Sequence, residues 1–196
     1  MILRRFKLEY PVTLKIEYPE KSNKSTAFIR VVLIIPVVTI LVLISSYAEA
    51  LSLAVALMIF FREKYPKWWF DWNVGITKFA YRIAVYGLLM RDEYPSTDED
   101  QAVKVDIPYP DVKKDLNRWM PLVKWILVIP HIIVLIFIFI AVVFCTVFAW
   151  FAILLTGRYP KGIFDFVEGF LRWSLRVNAY VFLLTTDQYP PFRLRE

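Results

Sequence analysis

The sequence predicts an α-helical integral membrane protein: four transmembrane helices from two tandem repeats, with short β-strands outside the membrane. Three observations carry that expectation. Of 196 residues, 58% are hydrophobic and 17% aromatic, whereas soluble domains run at about 45–50% apolar. Two apolar segments, 31–61 and 125–155, are each long enough to cross a bilayer. And many unlike residues recur along the chain at one fixed offset.

The elements follow in order. Val12, Leu14 and Ile16 alternate with Thr13, Lys15 and Glu17. That period of two marks a strand with one buried face. The opening segment lacks the continuous apolar stretch of a secretory leader. The strand ends at Tyr18-Pro19, and its counterpart "VKVDIPYP" ends at Tyr109-Pro110. A polar link and a long apolar segment follow in each case. As a helix each long segment reaches about 46 Å at 1.5 Å per residue. A hydrocarbon core is about 30 Å thick, so the length suits one tilted crossing and not two. "SSYAEA" at 45–50 resembles a hairpin tip, but its counterpart "FIAVVF" at 139–144 has no break. One continuous crossing per unit is therefore expected. Pro36 and Pro130 fall near the start, where a proline costs least or kinks the first turn. A basic turn comes next, "REKYPK" or "GRYPK". A charged helix then spans 68–90 or 162–184, and an acidic turn, "RDEYP" or "TDQYP", closes the unit.

Repeats of this length are sought before any other feature. Pro36 matches Pro130, and Tyr65-Pro66-Lys67 matches Tyr159-Pro160-Lys161. In the same frame Phe70-Asp71 matches Phe164-Asp165, Gly75 matches Gly169, Arg82 matches Arg176, Tyr86 matches Tyr180 and Leu89 matches Leu183. Tyr94-Pro95 matches Tyr189-Pro190 after one inserted residue. The expected domains are 1–98 and 99–196, each a strand, a long helix and a charged helix.

The charged helices pose the functional question. Asp165, Glu168, Arg172 and Arg176 fall on one helical face, and Asp71, Lys78 and Arg82 take the matching face in the first unit. A basic residue at the bilayer centre costs about 2.5–3.5 kcal/mol on insertion scales. The stripe therefore faces inward, paired or along a wet cavity, or else the helix lies in the interface. Glu168 precedes Arg172 by four, a favourable ion-pair spacing. The first unit has Val74 at that position, and Glu49 is expected to replace the acid by reaching Lys78 or Arg82. The candidate network is thus Glu49, Asp71, Lys78, Arg82, Asp165, Glu168, Arg172 and Arg176. With two crossings per unit, both units run in the same direction and the strands meet on one side. Most of the Lys and Arg lie on that side, which the positive-inside rule places in the cytoplasm. The expected location is the cell membrane, multi-pass, with cytoplasmic termini. One crossing per unit would instead give an inverted duplication.

The chain carries one histidine, one cysteine and five glycines. That composition excludes a catalytic triad, a phosphate-binding glycine loop and a cysteine or histidine metal set. No catalytic, cofactor or metal residue is expected, and the chain is not read as an enzyme. His131 is expected to pack near a helix start. The net charge of +6 serves orientation rather than nucleic acid. The basic face of Arg4, Arg5, Lys7, Lys21, Lys24, Lys113, Lys114 and Arg118 suits anionic lipid heads. Each of seven Tyr-Pro pairs reads as an element terminator at the interface. The function expected is an accessory or scaffold subunit, with other membrane subunits, copies of itself and the lipid bilayer as partners. The alternative is a small transporter or channel that uses the charged stripe.

"RWMPLVKWILVIPHIIVL" and "WFAILLTGRYPKGIFDFVEGFLRWSLRVNAYVFLLTTDQYPPF" resemble the prokaryotic membrane family called domain of unknown function 4389. The resemblance covers 103–194. The first half keeps Pro36, "EKYPKWWFDWNVGITKFAYR" and "DEYP" and departs by Glu49 and "SSYAEA". The resemblance implies a multi-pass, often tandem protein with no established activity, cofactor or catalytic residue.

Overall fold

The computed structural model describes residues 10–195, the side chains of residues 47–49 apart. In chain order it has β1 (Thr13–Ile16), α1 (Lys24–Arg62), α2 (Lys67–Gly87), β2 (Val103–Asp106), α3 (Val112–Asp115), α4 (Met120–Leu127), α5 (Ile129–Thr156) and α6 (Lys161–Val181). The protein is mostly helical, with one small two-stranded sheet.

Local chemistry sets the helix ends. α1 begins in the polar link, ahead of its apolar run, because Asn23 caps it. The Asn23 side chain accepts from the Ser25 and Thr26 N–H groups at 3.0 and 3.3 Å, satisfying donors that a helix start leaves unpaired. α1 ends on Glu63 at φ 50°, and α5 ends on Gly157 at φ 72°. Both take the left-handed conformation that closes a helix, which glycine adopts without steric cost. Pro36 sits inside a continuous α1, whereas the chain breaks at Val128 between α4 and α5, just ahead of Pro130. The turns that follow α2 and α6 carry left-handed Leu89 and Leu184, two residues beyond Gly87 and three beyond Val181. The extra residue of the second half therefore lies at the end of α6, and Leu184, not Leu183, is the structural counterpart of Leu89.

Among the described residues two helices, α1 and α5, are long and apolar enough to cross a membrane, where four were expected. Only 17% and 11% of their most apolar stretches are buried. α2 and α6 are amphipathic and carry their charges on one side.

α1 and α4–α5 run antiparallel. The Lys24 ammonium donates to the Leu155 carbonyl at 3.0 Å, and the Trp150 indole donates to the Ala27 carbonyl at 3.1 Å. At the other end Arg118 lies 3.8 Å from Glu63, and the Phe60 and Trp119 rings meet edge-on at 4.9 Å. α2 folds back along α1, and α6 along α5. The two halves of the chain thus oppose one another, where the sequence led to the expectation that they run in the same direction. The antiparallel pairing of the strands accounts for this: Thr13 faces Asp106 and Ile16 faces Val103. Leu14, Ile16, Val103 and Val105 turn inward, while Thr13, Lys15, Lys104 and Asp106 turn outward.

Each strand packs on the helix of the opposite half, β1 on α6 and β2 on α2. The Tyr18 hydroxyl donates to the Tyr159 carbonyl, and the Tyr109 hydroxyl donates to the Tyr65 carbonyl. Tyr18 meets Phe164 edge-on at 5.0 Å, and Tyr109 meets Phe70 in the same way at the same distance. His131 is fully buried. Its Nδ1 accepts from the Trp173 indole at 3.0 Å, and its ring stacks on Phe192 at 3.8 Å.

Gly75 and Gly169 share a sequence position but not an environment. A Cβ on Gly169 would stand 2.9 Å from the Leu194 carbonyl oxygen, whereas one on Gly75 meets nothing within 4 Å. Gly169→Ala is expected to destabilise by about 1–3 kcal/mol through overpacking. Gly75→Ala should stabilise by up to about 1 kcal/mol through helix propensity. Thermal unfolding in detergent reads both, and shifts of the same sign would contradict this packing.

Candidate functional site: a charged stripe on a strand edge

A two-stranded sheet leaves one row of backbone groups unpaired on each strand. In β1 the Glu17 N–H donates to the Ala102 carbonyl at 3.3 Å, so the alternating residues Leu14 and Ile16 direct their polar groups away from β2. The stripe of α6 meets them there. The Ile16 N–H donates to Glu168 Oε1 at 3.1 Å, and Arg172 Nε donates to the Leu14 carbonyl at 3.0 Å. Arg172 Nη2 also donates to Glu168 Oε1 at 2.7 Å. One ion pair at (i, i+4) thus supplies an acceptor and a donor in the place of a third strand. Side-chain exposure is 10% for Glu168 and 21% for Arg172, so water competes little for either bond.

The rest of the stripe separates by position. Arg176, 4% exposed, donates to the Arg193 and Arg195 carbonyls at 3.0 and 3.2 Å and so anchors the C-terminal segment. Arg82, its counterpart, donates to the Ser96 carbonyl at 2.6 Å. Asp165 pairs with Lys161 at 2.6 Å, and Asp71 pairs with Lys67. Both of these pairs are exposed, and Asp165 shares a groove of about 610 Å³ with Glu168 and Arg172. Lys78 is exposed. With Arg82, Asp100, Thr13 and Lys15 it lines a groove of about 330 Å³ along β2. The side chain of Glu49, expected to reach Lys78 or Arg82, lies outside the described residues, as do Arg4, Arg5 and Lys7.

Two further cations hold the structure closed. Arg30 is 2% exposed; it pairs with Asp92 and donates to the Tyr86 and Arg91 carbonyls at 3.1 and 3.0 Å. Lys124 is 1% exposed, pairs with Asp187 at 2.7 Å and donates to the Thr186 carbonyl at 2.8 Å. Each stands over a tyrosine ring, Tyr86 at 4.5 Å and Tyr180 at 4.9 Å, within cation–π range. Burial lowers the affinity of the Lys124 ammonium for its proton, and Asp187 pulls the other way. Both cations pin the loop after a charged helix to the start of a long helix. Sequence reasoning did not single out this pair. Its signal was present: a cation ahead of each apolar run, and an acid two residues before each closing Tyr-Pro.

Tyrosines complete the frame. The Tyr10 hydroxyl donates to the Arg176 and Gln188 carbonyls at 3.1 and 3.2 Å, and burial pushes its ionisation well above the ordinary range. Burial likewise pushes Tyr65 up to about 12. The charged stripe and the tyrosines bond mainly to backbone carbonyls and N–H groups. Chemically, the arrangement binds chain to chain.

Residues 118–193 match the model of the family described as domain of unknown function (DUF4389). The match takes in α4, α5, α6 and the loop after it, so the second half of the chain carries this domain. No curated protein and no solved structure matches the chain.

Removing Glu168 takes the shared carboxylate oxygen from the Ile16 N–H and from Arg172 Nη2. Breaking a buried pair in this way costs about 3–5 kcal/mol, so Glu168→Ala is expected to lose that much. Asp165→Ala, at an exposed pair, should stay within about 1 kcal/mol. Denaturant unfolding of the two variants in detergent gives the comparison, and equal losses would remove the strand-edge role of Glu168.

Proposed function

We propose that the chain is two copies of one unit, 1–98 and 99–196, and that it serves as a non-enzymatic accessory or scaffold subunit of a membrane assembly. The assembly is formed with other membrane subunits or with further copies of the chain. The single observation behind this reading is the engagement of Glu168 and Arg172 with the backbone of β1. Those groups are spent on joining elements, which is what a scaffold asks of them. A route for ions or solutes needs such groups turned to a continuous wet path. The exposed apolar sides of α1 and α5 suit contact with lipid and with neighbouring subunits. Repetition of the unit is supported by matched contacts in the two halves: Tyr18 on Tyr159 with Tyr109 on Tyr65, and Arg30–Asp92 with Lys124–Asp187.

A small transporter or channel is the second reading. The observation in its favour is the polar groove beside β2, where Lys78 and Arg82 face Asp100.

Native mass spectrometry after mild extraction separates the two readings. The scaffold reading expects a complex of fixed stoichiometry that Arg172→Ala dissolves. A monomer without companions, or an Arg172→Ala complex that keeps its mass but loses ion flux in vesicles, would overturn it.

A further inference from the structure

We propose that the protein sits in one leaflet of a lipid bilayer, with α1 and α4–α5 lying in the membrane plane and the sheet facing water on the same side as every turn. The proposal rests on the membrane reading above and concerns how the protein is seated.

Direction is the first ground. β1 runs along α6: the Tyr10 hydroxyl reaches the Arg176 carbonyl near one end, and the Ser22 N–H reaches the Gly157 carbonyl beyond the other. α6 in turn folds back along α5, and the matching half repeats this with β2, α2 and α1. Strands and helices thus share one rough axis, and the sheet lies midway along it. If α1 and α5 crossed a bilayer, the middle of the sheet would stand at the bilayer centre. The outward residues there are Lys15, Lys104 and Asp106, with Lys78 beside them. Such charges are expensive at that depth unless protein or water surrounds them, and these are exposed.

Shape is the second ground. α1 carries exposed Val31, Val32, Ile35, Ile40 and Leu43, residues that spread over about half of the helix circumference, while the other side packs against the protein. A helix with a wet side would show polar residues along it, so these helices are submerged in lipid. A helix is about 10 Å across, and half of a hydrocarbon core of about 30 Å is deep enough to take it. Each apolar run, about 46 Å long, exceeds the full core thickness but meets no length limit when it lies flat.

The border is the third ground. Trp68 and Trp72, 68% and 48% exposed, stand on α2 beside the exposed Lys67–Asp71 pair. Trp119, 57% exposed, stands at the start of α4 beside Arg118. Exposed tryptophans next to exposed charges mark the level of lipid headgroups. The net charge of +6 suits an anionic leaflet.

Sidedness gives the test. Lys64→Cys, Arg158→Cys and Lys104→Cys are introduced one at a time into the full chain carrying Cys145→Ser. Sealed vesicles of known orientation are treated with a membrane-impermeant maleimide, before and after detergent. Seating in one leaflet predicts that all three sites label from the same side, to the same extent with and without detergent. Labelling of Lys64→Cys and Arg158→Cys from opposite sides, or of any site only after detergent, would overturn the proposal and leave the membrane reading intact. Release of the protein by an alkaline wash would overturn both.

Discussion

The fold depends on what happens at the outer edge of β1. A two-stranded sheet of four-residue strands has little stability of its own, since an isolated hairpin is marginal in water. Its outer N–H and C=O groups would be costly to bury unpaired. Glu168 and Arg172 solve both problems with one pair of side chains. The carboxylate accepts from Ile16, the guanidinium donates to Leu14, and each neutralises the other. Charge-assisted bonds of this kind are stronger than the neutral bonds a third strand would supply. The same contact fixes the register of β1 against α6, and β1 fixes β2 through the ladder.

From that joint the rest of the architecture follows. Because the ladder is antiparallel, the two halves must oppose one another, which brings the start of α1 beside the end of α5. Trp150 and Lys24 close one such junction, and Arg118 and Trp119 close the other. Arg30 and Lys124 then hold the loops after α2 and α6 against the long helices. The halves differ at this edge: Val74 stands where the second half has Glu168, and beside β2 the basic Lys78 and Arg82 line a groove.

Much of this was legible in residue order. The alternation at Val12, Leu14 and Ile16 places the strand and its buried face. The Tyr-Pro pairs place the ends of elements, and the spacing of Glu168 and Arg172 predicts their pairing. What the sequence concealed was direction and partner. A charged stripe on an amphipathic helix reads the same whether it faces a neighbouring helix, water or a strand edge, because periodicity reports only that one side is polar. The backbone groups of Leu14 and Ile16 that complete the site carry no signature in side-chain chemistry. Arg30 and Lys124 were hidden for a related reason: a cation ahead of an apolar run is ordinary, and only the fold brings Asp92 and Asp187 to it. The start of α1 was missed by several residues because Asn23 caps it from within a link that reads as loop.

The crossing-over of the strands has a consequence for how the chain is made. β1 is synthesised early, yet the helix that closes its edge comes more than 150 residues later. Until α6 emerges, the first half holds a strand with no place to go, and contacts of such long sequence separation form slowly. A polypeptide cut between the halves would face the same shortage permanently. Its own strand belongs on a helix it lacks, and its own helix waits for a strand it lacks. In the whole chain each strand finds that helix in the other half of the same molecule, so the covalent link replaces what would otherwise be an encounter between separate pieces.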